Sequence, residues 1–127
     1  MKIEFHIKKY ESFLRTAKKL DYSEDYETLI EDFLLAAAHL VNAALHKSGV
    51  LREDNDIKHN RLYGSLKEEH KLGEKTEEVA ALILSLEQLR PSHVYGRGEN
   101  GQTAKKAEEA LNQIKKICEE IIYGRQS

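Results

Sequence analysis

The residues best suited to chemistry concentrate in one stretch, Leu89-Arg90-Pro91-Ser92-His93-Val94-Tyr95-Gly96-Arg97-Gly98-Glu99-Asn100-Gly101-Gln102-Thr103-Ala104-Lys105-Lys106. Three glycines there lead into a helix whose first turn carries two lysines. A helix N-terminus is already partly positive, so each lysine opposes the dipole by roughly a few tenths of a kcal/mol. Glycines, free backbone N–H groups and cations gathered at one helix start are what an anion or phosphate site requires. Arg90 adds a bidentate fork and His93 an imidazole that titrates near neutral pH. Arg90, His93, Arg97, Lys105 and Lys106 are thus expected to converge on a phosphate. The competing reading is a solvated connection with ordinary surface charges. A triphosphate-binding loop is excluded, although Gly96 and Gly101 have its spacing and Thr103 stands where its hydroxyl belongs. Its essential lysine is replaced by Gln102, and a helix rather than a strand precedes it.

A second polar line, Asp32, His39 and His46, repeats every seven residues, with Asn42 on the same side. Two imidazoles seven residues apart are separated by about 10 Å along a helix axis, too far to share one metal ion. They are expected to hydrogen-bond in a helix interface or to point to solvent, and no metal ligand set is assigned. His6, His59 and His70 stand alone in the sequence, with no H-E-x-x-H or E-x-x-H motif joining them. The acidic pairs Glu68-Glu69, Glu77-Glu78, Glu108-Glu109 and Glu119-Glu120 are expected on solvated helix faces.

These residues must be carried by helices. Ile3, Ile7, Tyr10, Phe13/Leu14, Ala17 and Leu20 recur at steps of three and four, predicting a first helix over 3–20. Ser23 is the expected N-cap of a second helix running to Lys47, with Gly49 just past its end. That helix is apolar almost all round, so it should be central or face a second subunit. Its alanines, Ala36, Ala37, Ala38, Ala43 and Ala44, would admit close neighbours. A polar loop over 50–60 and a short helix over 61–71 precede a third long helix over 75–89, stopped by Pro91. The fourth, over 103–123, presents Ala104, Ala107, Leu111, Ile114, Cys118 and Ile121 as one seam. Cys118 on that seam should be an inert core thiol. The expected fold is all-α: an antiparallel up-down four-helix bundle with one extra short helix, in a single domain over 1–127.

Composition agrees. The chain has 127 residues, 40% of them hydrophobic and 33% charged, with one proline and one cysteine. A formal net charge of −2 excludes a global basic field for nucleic acid, so any such site must be local. One cysteine cannot form an intrachain disulfide. The apolar run Phe33–Ala38 is too short for a bilayer, and the N-terminus lacks a signal peptide's apolar stretch. A cytoplasmic protein without membrane contact is the expectation.

In pattern, residues 5 to 123 resemble the HEPN family of small helical-bundle proteins. The resemblance rests on a first amphipathic helix, the segment Phe33-Leu34-Leu35-Ala36-Ala37-Ala38, and the His-containing connection Ile57-Lys58-His59-Asn60. It continues in a third helix ending Leu89-Arg90, an aromatic turn at Tyr95, and a last helix with Ala104, Ala107 and Ala110. It implies a nucleotide- or RNA-associated, often dimeric protein, with Tyr95 in the ligand-binding set. Many members are encoded beside a minimal nucleotidyltransferase in toxin–antitoxin pairs, which implies such a partner here. Ribonuclease members carry Arg, four to six residues, then His at the end of the third helix, where Arg90 and His93 correspond. Only Pro91 and Ser92 separate those two, so the nuclease spacing is not met; Arg52 and His59 have six residues between them but lie in another loop. Three functions follow: a homodimeric binder of nucleotide or RNA phosphate, a metal-independent endoribonuclease using Arg90 and His93, or a structural interaction module.

Overall fold

The computed structural model describes residues 1–90 and 100–124, with Asn100 described in its backbone only. Among these it is all-helical, with five α-helices and no strand: α1 (Ile3–Ala17), α2 (Tyr26–Lys47), α3 (Leu62–Glu68), α4 (Thr76–Gln88) and α5 (Asn100–Tyr123). Single 3-10 turns, His59–Arg61 and Gly73–Lys75, precede α3 and α4.

α2 is the centre. Its principal neighbours are α1 and α5, α4 lies against it more lightly, and α3 packs on α4. Leu29, Ile30, Leu34, Val41 and Leu45 are fully buried, and so are Ala36, Ala37, Ala43 and Ala44, whose small side chains let the flanking helices come close. Burying a leucine or isoleucine stabilises by about 1.5–3 kcal/mol, and this one helix supplies the largest share of the core. Of the two alternatives for α2, a central place or a face for a second subunit, its apolar surface takes the first. Helices of the same chain cover it, and the large exposed hydrophobics, Met1, Phe5, Val50 and Tyr123, lie elsewhere. By length and composition alone α2 could cross a bilayer; in this fold it is mostly buried among its neighbours.

The helix ends differ from the periodicity in three places. α1 stops at Ala17 rather than Leu20, because Lys19 and Leu20 donate tightened bonds to the carbonyls of Thr16 and Ala17. Ser23 is not the cap of α2. The cap position is Asp25, whose side chain makes no capping bond; its Oδ2 accepts from the Asp21 N–H at 2.8 Å, while Asp21 Oδ1 accepts from the N–H groups of Ser23 and Glu24 in the turn before the helix. α5 begins at Asn100 instead of Thr103. The start of α5 lies tight against the α1–α2 connection, since a Cβ on Gly101 would fall 2.8 Å from Ser23 Oγ.

The end of α2 follows expectation. Gly49 has φ +80°, its N–H donates to His46 O, and the N–H of Val50 donates to Leu45 O, the paired bonds of a Schellman turn. The connection that follows is pinned back onto α2 by buried Asn42. Its Oδ1 accepts from the Ile57 N–H at 2.8 Å, and its Nδ2 donates to Ile57 O at 2.9 Å. That clip fixes the neighbouring residue, Asp56, over the C-terminal half of α2.

Candidate functional site

Arg90 sits one residue past the C-terminal cap of α4. Its Nε donates to Glu31 Oε1 at 2.6 Å, Nη2 reaches Glu31 Oε2 at 3.4 Å, and Nη1 reaches Glu87 Oε2 at 3.4 Å. The guanidinium thus bridges α2 and the last turn of α4, with the side chain still 31% exposed. The Glu31 hydrogen bond outweighs the cost of burial and holds Arg90 above its ordinary value. The site is not purely cationic: a phosphate arriving here would share Arg90 with two carboxylates. Asp32, next to Glu31 in the chain, is buried with Oδ2 unpartnered; burial and then the neighbouring Glu31 push its carboxyl up.

His59 comes to the same place from the 3-10 turn. Its Nδ1 lies 4.0 Å from Glu87 Oε1, and both atoms are buried without a hydrogen-bond partner. The sequence set His59 aside as isolated and in the wrong loop. Its companion by spacing, Arg52, is exposed and paired with Asp54 instead. Two residues the sequence did not connect, Glu31 and Glu87, therefore hold the one it did, Arg90, and His59 approaches Glu87 beside them. Glu87 stands three residues before Arg90, one helix turn away, and the sequence did not single it out.

The two lysines at the start of α5 are exposed and diverge. Lys105 Nζ stands 6.0 Å from the centre of the Tyr22 ring. Tyr22 in turn donates its hydroxyl proton to Glu108 Oε2 at 2.6 Å, which first, with burial second, pushes that phenol up to about 12. Lys106 lines a groove of about 340 Å³ between α4 and α5 with Ser85, Gln88, Leu89 and Gln113. Gln88 and Leu89 immediately precede Arg90, so Lys106 borders the end of α4 that carries the guanidinium. His93, Tyr95 and Arg97 lie outside the described residues, as do Gly96 and Gly98.

A second constellation forms at the other end of α2. His6 on α1, isolated in the sequence, is buried between His39 and His46 of α2, with ring centres 5.2 Å from each. His6 Nδ1 lies 2.9 Å from His39 Nδ1, and His6 Nε2 lies 2.9 Å from Asp56 Oδ1. His46 Nε2 reaches the same Asp56 oxygen at 2.8 Å, and its Nδ1 faces the Leu51 carbonyl at 3.0 Å. Of the seven-residue line, His39 and His46 lie in a helix interface, the first of the two alternatives the spacing allowed, and the residue that joins them is His6. Burial works to raise the Asp56 carboxyl, yet hydrogen bonds from His46, His6 and the terminal ammonium bring it down to about 2. Burial, then His6, then Lys9 lower His39 to about 4; burial chiefly lowers His6, against the pull of Asp56. Ligand-type atoms of His6, His46 and Asp56 all lie within 4.8 Å of one another. The signal available in sequence was the step of seven; nothing placed His6 opposite it, because that requires the docking of α1.

Cys118 is buried, and burial pushes its thiol up to about 12, consistent with an inert core position. A family model described as HEPN domain matches residues 3–124. The searches of curated proteins and of solved structures returned no match.

Proposed function

The chain belongs to the HEPN family, and from that premise we propose that it is a nucleotide- or RNA-phosphate-binding protein. The observation that carries this reading is Arg90. Glu31 and Glu87 hold its guanidinium in one orientation at the end of α4, and Lys106 borders the same end from α5. Preordering an arginine fork lowers the entropy lost when it meets a phosphate. We propose His93, Tyr95, Arg97 and Lys105 as further residues acting on the same ligand. α1, α2, α4 and α5 are read as an up-down antiparallel bundle and α3 as its extra short helix. The working assembly is a cytoplasmic homodimer meeting at the Arg90 end, with a nucleotidyltransferase-type protein as partner, in the manner of a toxin–antitoxin pair. An apolar surplus on α2 no longer argues for the dimer.

A second reading, a metal-independent ribonuclease, draws on the placement of His59 against Glu87, the carboxylate that also holds Arg90. A histidine would exchange a proton with a ribose 2′-hydroxyl while Arg90 stabilises the phosphorane charge. Binding of a fluorescent short RNA, followed by anisotropy at rising salt, tests the first reading. Affinity should fall steeply with salt as counterions are displaced, and Lys106→Gln should cost more than Lys67→Gln on its exposed face. Cleavage of that RNA in the presence of chelator selects the nuclease, with His93→Ala and His59→Ala identifying the acid/base. Neither binding nor cleavage leaves the interaction module.

A further inference from the structure

We propose that His6, His46 and Asp56 form a binding site for a divalent transition cation of the zinc class, with His39 and the Leu51 carbonyl as its outer supports. The site stands apart from the Arg90 surface and does not depend on the phosphate reading.

Its first support is convergence. His6 Nε2 and His46 Nε2 both point at one oxygen, Asp56 Oδ1, at 2.9 and 2.8 Å. They come from two helices and a loop, so no local turn geometry forces the meeting. Both imidazoles are almost wholly buried, whereas Asp56 is 36% exposed and its other oxygen, Oδ2, lies 3.0 Å from the Met1 ammonium, which a bound cation would have to displace or tolerate.

Its second support is the pattern of donors and acceptors. Both nitrogens of His46 face atoms that only accept, the Leu51 carbonyl and the Asp56 carboxylate. Such a ring needs a proton on each nitrogen, or a proton on Nδ1 and a cation in front of Nε2. In the second arrangement Nδ1–H donates to the backbone carbonyl, the usual way a ligating histidine is held in its tautomer. His6 repeats the scheme. With Nε2 turned to the cation, its Nδ1–H donates across 2.9 Å to His39 Nδ1, and His39 keeps its own proton on Nε2. His39 also stacks on Phe13, centres 5.9 Å apart, which fixes the ring. Every ring nitrogen of His6 and His46 and the His39 Nδ1 then has a defined role.

The donor set selects the ion. Two neutral imidazoles and one carboxylate suit Zn²⁺ or Co²⁺, while Mg²⁺ and Ca²⁺ call for six or more oxygens. Tetrahedral bonds of about 2.0–2.1 Å place ligand atoms roughly 3.3 Å apart, so the nitrogen–oxygen gaps must widen by only about half an ångström. Three protein ligands leave a fourth position open to water or to a small anion. The ion would tie the α2–α3 connection, through Asp56, to α1 and α2. Asn42 already holds that connection in place, so the site is substantially pre-formed.

The test uses the full chain without a polyhistidine tag, stripped with chelator and titrated with Zn²⁺ and then Co²⁺. One ion per chain is expected, with the intense visible bands of low-coordinate Co²⁺. Asp56→Asn and His46→Gln should each weaken binding at least tenfold. His39→Gln should weaken it about 10- to 100-fold while keeping one ion per chain, as outer supports do. His70→Gln should change nothing. Imidazole nitrogen NMR of the unaltered protein covers the case of variants that fail to fold: on Zn²⁺ addition Nε2 of His6 and His46 should shift to metal-bound values and His70 should not. Absence of saturable binding, or those nitrogens unmoved, overturns the proposal, as does binding that survives both Asp56→Asn and His46→Gln.

Discussion

Replacing His39 by glutamine should flatten the acid sensitivity of the metal-free protein. Burial, His6 and Lys9 hold His39 at about 4 in the folded chain, against 6.5 for the unperturbed imidazole. Between those values the unfolded chain binds the extra proton, so stability is complete above pH 6.5 and declines as pH falls toward 4. At about 1.36 kcal/mol per pH unit the full loss is about 3 kcal/mol, of which about 2 kcal/mol is spent by pH 5. His6, also lowered, adds to the fall in the same direction. Asp56 does not enter this window, because the stability from its depressed carboxyl is lost as pH falls from its ordinary value of 3.8 toward about 2, below the pH 5 measurement. Domains of this size are stable by roughly 5–15 kcal/mol, so about 2 kcal/mol is readily measured. Urea unfolding in chelator at about pH 7.5 and about pH 5 should show the midpoint falling with an unchanged slope. His39→Gln should remove most of that fall. Equal midpoints at both pH values, or a fall undiminished in His39→Gln, would refute the reasoning.

Tyr22→Phe removes a hydroxyl that donates to a carboxylate at 2.6 Å, and should cost about 1–2 kcal/mol by urea unfolding. Ile83→Ala, at a fully buried position of α4, should cost about 2–5 kcal/mol in the same assay. Cys118 should resist thiol reagents in the folded protein and react with one equivalent on unfolding, since burial holds the thiol at about 12. Arg90→Gln leaves Glu31 and Glu87 facing each other without their cation and should destabilise by about 1–3 kcal/mol, besides weakening RNA binding.

The helices were legible because each buries one stripe. Val79, Ile83 and Leu86 of α4, and Ala104, Ala107, Leu111, Ile114 and Cys118 of α5, are buried as their spacing required. The ends were less so: α2 starts at Tyr26 with Asp25 at the cap, because Asp21 draws the N–H groups of Ser23 and Glu24 into a turn of its own before the helix. Local spacing shows which residues share a face of one helix, not which faces meet. Arg90 could be singled out, yet Glu31 pairs with it across 59 residues, and His6 meets His39 across 33. Both pairings depend on how α2 docks against its neighbours, and no local pattern carries that.

The central position of α2 also has a consequence during synthesis. Its two principal covers straddle it in the chain: α1 is made first, but α5 ends 76 residues after α2 does. At about 5–20 residues per second, α2 waits roughly 4–15 seconds with one flank bare. During that interval the ribosome presents a 22-residue helix whose apolar 18-residue stretch has a mean hydropathy of 1.4, long and apolar enough to be taken for a membrane anchor. Nascent chains of this protein should therefore be clients for chaperones that shield apolar helices, and chains cut short before α5 should be the ones degraded or misdirected.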